Sequence, residues 1–134
     1  MNRRFWLIAA AAQAGFFGFI LFFRNFYYHW DWIALRIPDP PLYADVSSVF
    51  LLVIAGWTLY VAFNNHPTLW IIPAGSALGR TLYFFISIFG FLTGINEGFY
   101  VLIGLTDIFF AIILVKIALE MRKEAIFSNN HPVQ

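Results

Sequence analysis

Four long apolar stretches, separated by shorter polar segments, make up most of this sequence. They cover residues 5–23, 46–63, 68–93 and 99–119. As an α-helix, which rises about 1.5 Å per residue, each stretch spans most or all of a hydrocarbon layer of about 30 Å. The pattern therefore predicts an all-α fold, an integral membrane four-helix bundle, as a single transmembrane domain over residues 1–134.

Polar and helix-breaking residues predict where these helices end. Residues 64–67, Asn-Asn-His-Pro, are a turn signal before the third helix, and residues 94–98, with two glycines, are another before the fourth. Pro73 falls in the first turns of the third helix, where its missing N–H is tolerated. The tail, residues 125–134, shows no comparable pattern, and we expect it to be frayed.

The segment between the first two predicted helices, residues 24–45, is too long for a plain hairpin and is rich in aromatic side chains. The aromatic residues include Phe26, Tyr27, Tyr28, Trp30 and Trp32. Such rings favour the headgroup zone of a bilayer, so we expect an interfacial segment along the membrane surface. A ligand-binding lid is the alternative interpretation. Pro38, Pro40 and Pro41 stop any helix before the chain re-enters the membrane.

Basic residues are distributed unequally between the two sides of the predicted bundle. The side that holds both termini carries Arg3, Arg4, Lys116, Arg122 and Lys123. The other side carries only Arg24 and Arg36. Because the cytoplasmic loops of membrane proteins are enriched in Lys and Arg, this distribution predicts that both termini are cytoplasmic.

Composition agrees with a membrane protein and excludes several functions. The 134 residues are 61% hydrophobic and only 11% charged, whereas a soluble domain has about 25% charged residues. The chain has no cysteine, which excludes disulfides, thiolate metal sites and a cysteine nucleophile. A net charge of +1 without a clustered basic face gives no reason to expect a nucleic-acid partner.

Two charged residues, Arg80 and Asp107, fall inside the predicted spans. Charged side chains are costly at that depth and usually face the interior of a bundle, where they find partners. Counted along antiparallel helices, both residues lie about 18 Å from the cytoplasmic boundary. We therefore predict a buried ion pair near the middle of the membrane, with the guanidinium facing the carboxylate.

Helical spacing supplies polar neighbours for this pair. Ser76 and Tyr83 share a face of the third helix with Arg80, at steps of three or four residues. On the fourth helix, Gly104 lies close to Asp107 on the same face and leaves room for a large neighbour or for water. Two interpretations stay open: a structural ion pair that fixes two helices, or a ligand-binding centre at Arg80, Asp107, Tyr83 and Ser76.

No cofactor or metal site is expected from the remaining motifs. A four-helix bundle can hold haem between two imidazoles, but His29, His66 and His131 all lie outside the predicted spans. No Ser, His and Asp share a depth, and no phosphate-binding loop or His-Glu zinc motif occurs. We therefore assign no catalytic residue and expect no enzyme activity of these kinds.

Three short stretches resemble the DoxX-like group of small four-helix bacterial membrane proteins. They are residues 56–60 (Gly-Trp-Thr-Leu-Tyr), 76–80 (Ser-Ala-Leu-Gly-Arg) and 104–107 (Gly-Leu-Thr-Asp). The resemblance covers the last three spans. It implies a bacterial inner membrane protein associated with quinone-linked redox assemblies, usually as an accessory subunit. It also implies that Arg80 and Asp107 occupy the polar centre of the group.

These observations lead to two main functional hypotheses. The first is a noncatalytic accessory or scaffold subunit of a larger membrane complex, in contact with lipid, with other subunits or with further copies of itself. The second is a binder or small enzyme for an apolar ligand, a quinone or a lipid, at the buried Arg80–Asp107 centre. A transporter ranks third, because no inverted repeat is visible.

Overall fold

The computed structural model describes residues 2–23, 42–94 and 98–130, and this part of the chain is almost entirely helical. The helices are α1 (Arg3–Phe22), α2 (Leu42–Asn64), α3 (Ile71–Leu92) and α4 (Gly98–Asn130), with a 3-10 turn at Pro67–Trp70. The all-α fold predicted from the apolar stretches is therefore confirmed. Most of the predicted interfacial segment, residues 24–41, lies outside the described residues, as do residues 95–97 of the predicted outer turn.

Local chemistry explains several of the helix ends. The Asn2 side chain caps α1 by accepting a hydrogen bond from the Phe5 backbone N–H at 3.2 Å. At the end of α2, Asn65 adopts a left-handed conformation with φ of 45°, and its N–H donates to the Val61 carbonyl at 2.8 Å. The turn then begins at Pro67, and Pro73 is the third residue of α3, where its missing N–H is tolerated.

Three of the helices are long and apolar enough to cross a membrane. These segments are Arg3–Phe22, Pro67–Leu92 and Val101–Ser128, and the apolar part of α2, Ser48–Asn64, is shorter. In the part of the chain that the structure describes, α2 begins at Leu42, four residues before the predicted start. It therefore includes the last residues of the segment that the sequence analysis places on the membrane surface.

The helices pack as two pairs. The α1 helix lies along α2, and α3 lies along α4, whereas contacts between the pairs are fewer. A glycine marks the closest approach in each pair. A Cβ at Gly18 would lie 3.0 Å from the Leu52 side chain, and one at Gly104 would lie 3.3 Å from the Ser87 Cβ. These glycines let the backbones approach closely.

All four helices contribute to one apolar core. Its buried members are Leu7, Ala10, Val61, Ala62, Ala77, Ala111, Leu114, Ile117 and Met121. Many are alanines, whereas many of the large apolar side chains, among them Phe85, Phe89 and Leu92, are exposed. Small residues inside and phenylalanines outside are the distribution expected of helices that associate in a lipid environment.

The start of α1, the α2–α3 turn and the last turns of α4 meet at one end of the bundle, which we call the basic end. Arg3 forms a bidentate ion pair with Glu124 and also donates to the Asn65 side-chain oxygen at 3.2 Å. One turn earlier on α4, Met121 is fully buried. These contacts hold the C-terminal part of α4 against the bundle.

Because of this anchoring, α4 continues beyond the predicted fourth span. It runs to Asn130 and therefore extends into the tail, residues 125–134, for which the sequence analysis expects fraying. Residues 131–134 lie outside the described part of the chain. At 33 residues, α4 is about 50 Å long, which exceeds the thickness of a hydrocarbon layer of about 30 Å.

Candidate functional site

A buried polar cluster lies between the two helix pairs, with Arg80 of α3 at its centre. Arg80 is 3% exposed, and its Nη1 lies 2.5 Å from the Asp107 Oδ1 on α4. The same Nη1 donates to the Gln13 side-chain oxygen, and Nη2 donates to the Ala10 carbonyl oxygen at 2.7 Å. Through its guanidinium group, Arg80 of α3 therefore contacts two other helices, α1 and α4.

Gln13 connects the ion pair to a hydroxyl on α4. Its Nε2 donates to the Asp107 Oδ1 at 3.0 Å and to the Thr106 Oγ1 at 3.1 Å. The Thr106 hydroxyl donates in turn to the Ile103 carbonyl oxygen at 2.7 Å, within α4. Because the amide both accepts from Arg80 and donates to Asp107, Gln13 links the cation and the anion.

The helix arrangement explains why the two charges meet. The α3 and α4 helices follow each other in the sequence and pack side by side, so residues on their facing sides meet at similar heights along the bundle. Asp107 is 3% exposed, as Arg80 is, so both charges are almost completely shielded from solvent. Removing both charges from water is costly, and the cost is offset only where the charges pair and their remaining sites are hydrogen-bonded.

Aromatic and small side chains enclose the cluster. The Phe110 ring centroid lies 5.5 Å from the Arg80 Cζ, a cation–π contact from one turn beyond Asp107. The space beside Gly104, where the sequence suggests room for a large neighbour or for water, is occupied by Ser87 and Phe84 of α3. The close approach of α3 and α4 thus fills that part of the interior.

Ser76 and Tyr83 lie on the turns of α3 before and after Arg80. Ser76 is one turn before Arg80 and is 5% exposed, and among the described residues neither its Oγ nor the Arg80 Nε has a hydrogen-bond partner. Tyr83 is half-buried on the next turn and is not among the hydrogen-bond partners of Arg80. The structure therefore brings Arg80 and Asp107 into contact and places Ser76 and Tyr83 on the flanking turns without hydrogen bonds to the guanidinium.

The sequence analysis missed Gln13 and Thr106 as members of the cluster. Gln13 is the one strongly polar side chain in the first predicted span, about 15 Å along the helix from Arg3. That depth resembles the depth predicted for Arg80 and Asp107, so it is a signal that could have identified Gln13. The Ala10 carbonyl could not be identified in this way, because every residue in the sequence has a backbone carbonyl.

The histidine and acidic residues do not form a metal site in the described part of the chain. No group of three or more His, Cys, Asp or Glu residues lies close enough there to hold a metal ion. His66 is exposed in the α2–α3 turn, where its Nδ1 lies 2.8 Å from the Thr68 Oγ1. His29 and His131 lie outside the described residues.

Comparisons with known proteins identify no relative of this chain. No protein-family model matches this chain, and no curated protein or solved structure is detectably similar to it.

Proposed function

We propose that this chain is an integral membrane protein that acts as a noncatalytic accessory or scaffold subunit of a larger membrane complex. The observation that carries the proposal is the arrangement around Arg80. Its guanidinium pairs with Asp107 and donates to Gln13 and the Ala10 carbonyl, so a buried polar cluster joins three helices. Such a cluster favours a structural role, because the paired charges need no further component.

The exposed surface is apolar enough to contact lipid or the helices of other subunits. The phenylalanines of α3, including Phe85 and Phe89, are more than half exposed, and similar apolar side chains cover α1 and α2. These surfaces suit lipid and the apolar helices of other subunits equally well. The DoxX-like resemblance favours a redox-associated complex in a bacterial inner membrane, and we include that assignment in the proposal.

We further propose that all four helices span the membrane, with both termini in the cytoplasm. The grouping of Arg3, Arg4, Arg122 and Lys123 at the basic end supports this orientation. Because the chain has no cysteine, single cysteines at Asn2 and at Glu97 report on the two sides directly. In intact cells, a membrane-impermeant maleimide should label the Glu97→Cys protein and leave the Asn2→Cys protein unlabelled. The opposite labelling would contradict the orientation.

The subunit role is tested by purification from the native membrane in mild detergent. We expect a second protein to copurify in a constant ratio. A photo-reactive amino acid placed at the exposed Phe89 should cross-link to that protein, whereas the same group at the buried Leu114 should not. Recovery of this chain alone, or equal cross-linking from both positions, would contradict the proposal.

A second candidate function, an apolar ligand site at the Arg80–Asp107 centre, rests on a different observation. In the part of the chain that the structure describes, the Arg80 Nε and the Ser76 Oγ are buried without a hydrogen-bond partner, and buried polar atoms are normally paired. Each is a free donor for an oxygen atom of a quinone or lipid. Tyr83 flanks this position, one turn along α3.

Copurification of a ligand tests this alternative. A bound quinone or lipid should be retained by the parent protein and lost from the Ser76→Ala variant. Ser48→Ala is the matched control, because Ser48 is also fully buried but already donates to the Asp45 carbonyl at 2.7 Å. Unchanged ligand retention in Ser76→Ala would rule out the site.

A further inference from the structure

Two arginines at the basic end are stacked on aromatic rings and have no acidic partner among the residues that the structure describes. The Cζ of Arg122 lies 5.4 Å from the Trp70 ring centroid, and the Cζ of Arg4 lies 5.1 Å from that of Phe63. Both arginines are exposed, and neither takes part in the ion pair of Arg3 at the same end. The two stacks use different helices: α4 with the 3-10 turn, and α1 with the end of α2.

The remaining charges near this end are mostly positive. In the described residues from Arg3 to Arg4 and from Lys116 to Glu124, the basic side chains are Arg3, Arg4, Lys116, Arg122 and Lys123. The acidic ones are Glu120 and Glu124. The ion pair with Arg3 already uses Glu124, so four cations face a single remaining carboxylate. A surface of this kind attracts anions.

We propose that the basic end binds the headgroups of acidic phospholipids, with Arg122 on Trp70 and Arg4 on Phe63 as the phosphate contacts. The inference rests on the proposed insertion in a membrane. A guanidinium offers several N–H donors in a plane, which suits a phosphate, and stacking on a ring leaves the outer edge of that plane free. The aromatic residues occupy the depth where rings and headgroups meet.

The geometry favours a lipid over a soluble anion. Phe63 is 64% exposed, so an occupant beside Arg4 meets an apolar ring as well as a cation. The apolar run that predicts the fourth span ends at Leu119, and α4 continues to Asn130, so Arg122 and Lys123 lie beyond the hydrocarbon of a bilayer that this run spans. An acidic phospholipid satisfies both features, because its phosphate reaches the cations while its chains lie along the apolar helix faces.

Native mass spectrometry of the purified full chain tests the proposal, with phosphatidylglycerol as the probe and phosphatidylcholine as the neutral comparison. We expect phosphatidylglycerol to bind more tightly than phosphatidylcholine. The double variant Arg4→Gln/Arg122→Gln should weaken phosphatidylglycerol binding about thirty-fold, because each cation near a headgroup contributes about five-fold. Glycerol phosphate, which lacks acyl chains, should not displace the bound lipid.

Two further variants separate the stacked arginines from the general positive charge. Lys116→Gln/Lys123→Gln removes the same charge from unstacked positions and should weaken binding less than five-fold. Arg4→Lys/Arg122→Lys keeps the charge but loses the planar guanidinium, and its binding should fall between that of the parent and that of the glutamine variant. The melting temperature in lipid-free detergent should be the same for all variants, since the substituted side chains are exposed.

Several results would overturn the assignment. Equal binding of the two phospholipids would show that no acidic headgroup is recognised. Equal losses from the arginine and lysine variants would show that the whole positive surface, and not the stacked pairs, attracts the lipid. Displacement by glycerol phosphate would indicate a site for a soluble phosphate. Alkaline extraction of membranes tests insertion separately, because a chain that is released by alkali fails the proposed function itself.

Discussion

Gln13 determines how the buried charge of Arg80 is distributed. Its side-chain oxygen accepts from the guanidinium, and its amide nitrogen donates to Asp107 at 3.0 Å and to Thr106 at 3.1 Å. Without this amide, Arg80 would keep only Asp107 and the Ala10 carbonyl as acceptors. Because α1 contributes nothing else polar to the cluster in the described structure except that carbonyl, Gln13 is the main polar link between α1 and the α3–α4 pair.

Replacing Gln13 with leucine should therefore lower the free energy of unfolding by about 1–2 kcal/mol, through loss of hydrogen bonds to charged groups. The measurement is reversible unfolding in mixed detergent micelles, followed by helical circular dichroism. Ala12→Leu is the matched control, because Ala12 is the adjacent, exposed position on α1 and its substitution leaves the cluster intact. Equal stability of the two variants would mean that Gln13 does not hold the cluster together.

The contact between Arg80 and Asp107 was accessible from the sequence, whereas the rest of the cluster was not. Two opposite charges inside successive antiparallel spans have few other groups with which to pair. A glutamine, in contrast, is tolerated in an apolar helix with or without a partner, so its depth alone did not identify it. The Ala10 carbonyl depends on the rotation of α1 about its axis, which apolar composition does not determine.

At the scale of helices, apolar length predicted the elements but not all of their ends. The α2 helix begins at Leu42, directly after the proline-containing segment, although its apolar run begins at Val46. The α4 helix continues to Asn130 because contacts around Glu124 hold it against α1. For α4 the end of the helix depends on tertiary contacts, which an apolar pattern does not reveal.

Close packing within each helix pair leads to a prediction at Gly18. A Cβ there would lie 3.0 Å from the Leu52 Cγ and 3.1 Å from the Ser48 carbonyl oxygen, so Gly18→Ala should force α1 and α2 apart. We expect a loss of about 1–3 kcal/mol in the free energy of unfolding. Gly75→Ala, where a Cβ would meet nothing within 4 Å, should be neutral or should stabilise α3 by up to about 1 kcal/mol. Equal effects of the two substitutions on the free energy of unfolding in mixed micelles would contradict this explanation.

At the scale of the whole molecule, the described residues form two helix pairs, which polar side chains connect at two levels along the bundle. Near the middle of the bundle, Arg80 of α3 contacts Gln13 of α1 and Asp107 of α4. At the basic end, Arg3 of α1 contacts Glu124 of α4. The Arg3–Glu124 ion pair is partly exposed and should contribute less than about 1 kcal/mol to stability, so the buried cluster is the more important connection.

This arrangement explains why a chain with so few charged residues buries two of them. Eight of the thirteen buried apolar residues in the described chain are alanines. Their small side chains let helices approach closely but interlock the two helix pairs less than large side chains would. A buried ion pair with additional hydrogen bonds permits only one relative position. We therefore expect the cluster to determine the arrangement of the helix pairs as well as their stability.

A double-mutant cycle between Arg80 and Asp107 tests that claim most directly. Arg80→Met, Asp107→Leu and the double variant are compared with the parent by reversible unfolding in mixed micelles. Each single change leaves an unpaired charge or a broken network and should lower the free energy of unfolding by about 3–5 kcal/mol. The double variant removes both charges, so its free energy of unfolding should be at least that of the less stable single variant. The coupling energy should then exceed about 2 kcal/mol. Additive losses, with no coupling, would contradict the account.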